Sequence, residues 1–139
     1  MITVEQATAI ALQRLNNPEP EDKDPDNPNY DPGEIAITKI MSRPYGWIFL
    51  YQTKEFIDTG NGVAALFGSI PLIVEKTGEN DYMYLPIPMK NPGLSDELLY
   101  FDIIYMIRVY DYCRIVLGKS NHNVPDVENM TIPDNFSGD

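Results

Sequence analysis

The sequence predicts an α+β fold: an antiparallel sheet of about four strands with an N-terminal helix and a long C-terminal helix packed on it. Three observations lead there. Apolar residues recur at helical spacing near both ends, at Val4, Ala7, Ala11 and Leu15 and again at Leu99, Ile103, Met106, Tyr110, Cys113 and Leu117. Between those stretches lie short apolar runs bounded by Gly, Pro or Asn, the signature of strands and turns. The 139 residues, 43% hydrophobic, suit one domain with a single sizeable core. That domain is placed at residues 1–118, with residues 119–139 as a flexible acidic tail.

The first helix is expected from Thr3 to Leu15. Thr3 can cap it, with Gln6 at the position that completes a capping box. Asn16, Asn17 and Pro18 end it. Glu34 to Ser42 reads as the first strand, with Ile35, Ile37 and Met41 on one face and Ala36, Thr38 and Ile40 on the other. Arg43-Pro44-Tyr45-Gly46 has turn chemistry. Trp47 to Gln52 follows as a strand apolar on both faces, which suits a central position covered on both sides or one face turned to a partner. These two strands should pair as a hairpin. Asp58 to Gly62 reads as a turn, Ile70 to Lys76 as the third strand and Tyr82 to Ile87 as the fourth, together an antiparallel meander. The last helix spans Glu97 to Leu117, with Gly118 placed to close it in the left-handed conformation. Its apolar surface exceeds one sheet contact, and the surplus would serve the first helix, the tail or a homodimer.

Residues 16–33, NNPEPEDKDPDNPNYDPG, are of a different kind. Five prolines forbid regular helix and a central strand. Glu19, Glu21, Asp22, Asp24, Asp26 and Asp31 face Lys23 alone as counter-charge, and Tyr30 is the one large apolar anchor. A segment this long and this acidic is either a solvated linker or an arm for a basic surface. The whole chain carries a formal charge of −11. That disfavours nucleic acid, whose phosphates need Lys and Arg, and disfavours an anionic membrane surface. It favours a cationic protein partner.

Few residues offer chemistry. There is one cysteine, Cys113, and one histidine, His122. Neither a disulfide framework nor a zinc site can be built from them, and a reducing, cytoplasmic setting is expected. Cys113 lies within an apolar stripe and reads as an inert buried thiol. The MITVEQATAI start lacks the basic and apolar regions of a signal peptide, and no transmembrane run is expected. Asp22 to Asn27 begins like a calcium loop but lacks its turn glycine and its closing acid. Gly60-Asn61-Gly62 lacks the lysine of a phosphate loop. No cofactor, metal site or catalytic residue is therefore expected.

From about residue 3 to residue 90 the chain resembles the YrhB-like, or immunity protein 35, family of bacteria. The resemblance rests on Arg43-Pro44-Tyr45-Gly46-Trp47, on Thr59-Gly60, on Gly68, and on Pro71-Leu72-Ile73-Val74-Glu75-Lys76-Thr77-Gly78. It implies a small α+β protein encoded beside a polymorphic toxin, which protects the producing cell by binding that toxin. Within the motif Arg43, Pro44, Gly46, Trp47, Gly68 and Pro71 are expected to act mainly as structure. The acidic segment, with Glu19, Glu21, Asp22, Asp24, Tyr30, Asp26 and Asp31, is the first candidate for the toxin contact. A chaperone-like holder of unfolded clients is the alternative, since a YrhB-like member has been regarded as a chaperone. A small hydrolase ranks third.

Overall fold

The computed structural model describes residues 1–18, 33–60, 70–83 and 107–123, together with Pro133 and Phe136. Helix α1 runs from Val4 to Asn16. Thr3 accepts the Gln6 N–H and Gln6 takes the Thr3 N–H in return, so the capping box forms as the sequence requires. Strands β1 (Ile35–Arg43) and β2 (Gly46–Thr53) form a hairpin closed by Pro44 and Tyr45. β3 is Leu72–Glu75 and β4 is Asn80–Tyr82. The four strands lie in the order β1-β2-β3-β4, every pair antiparallel, so the meander holds. A helix α3 covers residues 107–116, its second half wound as a π-helix from Tyr112 to Val116. Gly118, at φ +65°, closes its end, and the Lys119 N–H reaches back to the Cys113 carbonyl. The rest of the expected helix, 97–106, lies outside the described residues, as do Gly68 and 84–87 of the expected fourth strand.

The sheet has a core on each face. Trp47, Phe49, Leu72 and Val74 pack against Ala7, Ala11 and Leu15 of α1. Ile48 and Ile73 point the other way, against Ile107, Val109, Tyr110 and Cys113 of α3 and Met83. This is why β2 is apolar at every position from Trp47 to Leu50: it is a central strand with a helix layer on each side. The two small alanines let α1 lie close to the sheet, and both are fully buried. Trp47 is a core residue, 8% exposed.

Two readings need correction. Met41 does not share a face with Ile35 and Ile37. The register jumps from Ile37↔Tyr51 to Lys39↔Leu50, so Thr38 is the extra residue of a β-bulge. A bulge inverts the alternation, which leaves Ile35 and Ile37 on the α1 side and moves Met41 to the α3 side. The predicted turn at Asp58 and Thr59 is instead the end of a short helix α2, Lys54–Thr59. Thr53 caps it by accepting the Phe56 N–H, and Gly60, at φ +71°, ends it.

Candidate functional site

The densest polar arrangement among the described residues lies where the β1-β2 turn meets α3. It begins with backbone geometry. Gly46 starts β2 opposite Glu75, and a Cβ there would stand 2.2 Å from the Val74 carbonyl oxygen. Only glycine lets β3 approach so closely. The approach brings Glu75 to the foot of α3 and directs the two residues flanking Pro44 to that helix. Arg43 Nε donates to Asp111 Oδ2 at 2.8 Å, and the Tyr45 hydroxyl donates to the other carboxylate oxygen at 2.5 Å. Asp111 is 1% exposed.

One turn further along α3, Arg114 donates to Glu75 at 2.8 Å and to the Tyr110 hydroxyl. Its guanidinium carbon sits 4.2 Å from the centre of the Tyr45 ring, within cation–π range. Tyr45 and Tyr110 meet edge to face with centroids 5.8 Å apart. The Tyr110 hydroxyl donates to Asn121, and Asn121 donates to the Tyr82 carbonyl. The chain from Arg43 to β4 is thus continuous through side chains.

The electrostatics keep these groups in their inert forms. Burial, reinforced by the Asp111 charge, raises the Tyr45 pKa far above the ordinary phenol value. Burial also raises Tyr110, against the pull of Arg114. Burial alone would lower the Arg114 pKa, but the hydrogen bond it donates to Glu75 and the neighbouring charges outweigh it and the net shift is upward. Burial likewise raises the Cys113 thiol, which disfavours the nucleophilic thiolate. Two cations face two carboxylates here, and the arrangement acts as a clasp that fixes α3 to the hairpin.

A second polar cluster holds α1. Arg14 donates to Asn80 and Asp81 and lies 5.1 Å from the Tyr82 ring centre. His122 stands 3.2 Å from the other Asp81 oxygen. The Asn16 side chain takes both backbone groups of Ile35. Among the described residues no group of three or more His, Cys, Asp or Glu could hold a metal ion. No helix among them is long and apolar enough to cross a membrane.

The motif residues divide by role. Arg43 carries the clasp, Pro44 sits in the turn, Gly46 permits the close strand approach, Trp47 is core, and buried Pro71 accepts the Met83 N–H just before β3. The predicted contact residues Glu19, Glu21, Asp22, Asp24, Asp26, Tyr30 and Asp31 lie outside the described residues. Helical periodicity puts Asp111 on the side opposite the apolar stripe of the last helix; it is nevertheless buried, because Arg43 and Tyr45 hold it there. The tail touches α3 at two described residues: Arg108 donates to the Pro133 carbonyl, and Phe136 meets the Tyr112 ring edge to face.

The sheet with a core on each face and a charged clasp at one end makes the chain a small α+β domain. The model of the family described as immunity protein 35 matches residues 5–97, more than half of the chain, and the chain belongs to that family. Over 42 residues it is 36% identical to the uncharacterized protein YrhB of Escherichia coli (strain K12), a match covering 30% of this chain and 45% of that protein. The chain thus spans less than half the length of that curated relative. No solved structure matches it. The sheet side of the clasp, Arg43, Tyr45 and Glu75, falls within the matched residues, whereas Tyr110, Asp111, Arg114 and Asn121 lie beyond them.

Proposed function

We propose that this chain is an immunity protein that binds a cognate protein toxin in the cytoplasm of the producing cell and silences it by stoichiometric occupancy. Membership of the immunity protein 35 family across residues 5–97 carries the proposal. The formal charge of −11 supports a toxin with a basic surface. The acidic residues Glu19, Glu21, Asp22, Asp24, Asp26 and Asp31, with Tyr30 among them, are the proposed contact. In sequence they lie between α1 and β1, whose neighbouring ends are joined by the Asn16–Ile35 hydrogen bonds.

The test is co-expression with the toxin domain encoded by the adjacent gene. Cells carrying both should grow, cells carrying the toxin alone should not, and the purified pair should elute as one complex. Undiminished toxicity overturns the proposal. Reversing Glu21, Asp22, Asp24 and Asp26 to lysine should slow association by about tenfold or more at low ionic strength, with the gap closing as salt screens the charges. An unchanged association rate removes the acidic segment from the interface.

A further inference from the structure

Among the described residues β1 is an edge strand of the sheet, and its outward backbone is bonded at its two ends. At one end Ile35 gives its N–H to Asn16 Oδ1 at 2.8 Å and receives Asn16 Nδ2 on its carbonyl at 3.1 Å. A side-chain amide there does what a neighbouring strand would do. At the other end the Ser42 carbonyl accepts from Arg43 Nη1 at 3.0 Å. These two bonds reveal which residues face away from β2. Stepping by two from Ile35 gives Ile37, and stepping back by two from Ser42 gives Ile40. The two series differ in parity, and the bulge at Thr38 absorbs the difference.

Between the two stops, the outward N–H and C=O groups of Ile37 and Ile40 meet no described partner. Thr38, Lys39 and Ile40 are exposed, and Ile40 is 40% exposed although it lies opposite fully buried Phe49. An apolar side chain on a free sheet edge, with unpaired backbone beside it, is suited to an added strand.

The occupant follows from charge and shape. Two copies of a chain with charge −11 repel, which disfavours pairing of this edge with its own copy. A cationic segment is instead favoured, because the chain is strongly acidic, exposed Glu34 adjoins β1, and in sequence the acidic residues 19–31 come just before it. On the footing of the immunity function proposed above, we infer that an extended Lys- or Arg-bearing segment of the toxin adds as a fifth strand along Ile37 to Met41 and covers Ile40.

Hydrogen exchange of the full chain tests this, alone and with the toxin domain encoded by the adjacent gene. The Ile37 and Ile40 amides should exchange freely in the chain alone and slow by about a hundredfold in the complex. Ile40→Pro removes an outward N–H and should weaken the complex about tenfold or more with little change in Tm, whereas Ile40→Thr keeps the N–H and should bind far better than the proline variant. A complex that forms while both amides stay unprotected overturns the added strand and leaves the immunity function standing. Failure to form any complex overturns both. Protection that appears on concentrating the chain alone makes a second copy the occupant and overturns the toxin strand.

Discussion

The two helices grip the same sheet by different means. α1 lies on it through small apolar side chains, Ala7 and Ala11, and its polar bonds sit at its rim: Asn16 to the Ile35 backbone, and Arg14 to half-exposed Asp81. α3 packs Tyr110 and Cys113 into the opposite core and adds two ion pairs that are themselves largely buried, Arg43–Asp111 and Arg114–Glu75. A helix held by close apolar packing loses little when one rim contact goes. A helix held by buried charges loses much, because the partner left behind is a charge out of water.

The largest effect is therefore expected at Asp111. Asp111→Ala takes away the carboxylate that neutralises the Arg43 guanidinium, whose side chain is 9% exposed, and removes the acceptor of the Tyr45 hydroxyl. It should cost about 3–5 kcal/mol, read from the urea midpoint. Asp111→Asn keeps an acceptor and should cost less. If Asp111→Ala is no worse than a rim substitution on α1, the contrast between the two helices collapses.

The next effect separates the faces by pH. Tyr45 and Tyr110 both have pKa values raised in the folded state, first by burial. A raised acid pKa means that unfolding releases a proton once the solution passes the unfolded value, near 10. Stability from this source is level below about pH 10 and falls above it, by up to roughly 1.4 kcal/mol per pH unit for each phenol. Urea unfolding from pH 9 to 11 checks the slope, and the Tyr45→Phe, Tyr110→Phe double variant should flatten it relative to the parent. An equal slope in both would place the alkaline sensitivity elsewhere.

The same contrast explains what the sequence discloses. α1 is legible because its cap, its spacing and its stop lie within 16 residues of one another, and the hairpin is legible because a proline–glycine turn separates two apolar runs. The two-sided cover of β2 follows from its continuous apolar run. The bulge at Thr38 leaves no mark, since threonine is an ordinary strand residue and the extra position is defined only by its partner strand. The clasp is less legible still. Arg43 and Tyr45 meet Asp111 across 68 and 66 positions of chain, and helical periodicity places an aspartate on the water side unless a distant cation claims it. The one local hint is that Arg43 stands beside Pro44 and Gly46 in a turn between two apolar runs, where a cation that is covered needs a counter-charge. Family membership extends this limit: the matched residues stop at 97 and hold only the sheet half of the clasp.

The smallest effect belongs to the rim of α1. Asn16→Ala removes two hydrogen bonds to the Ile35 backbone, at 2.8 and 3.1 Å, but Asn16 is exposed and water can replace them. A loss of about 1 kcal/mol is expected by urea unfolding. The sharper readout is local. Ile35 is buried, and its N–H is held by Asn16 alone among the described contacts, so its amide should exchange markedly faster in the variant while the amides of Ile48 and Ile73 keep their protection. The same bonds join the chain on either side of the acidic segment, so if that segment makes the proposed toxin contact, Asn16→Ala should also lower the association rate with the proposed toxin beyond what its small stability loss explains. Global loss of protection would show instead that α1 is fastened through this residue as firmly as α3 is through Asp111.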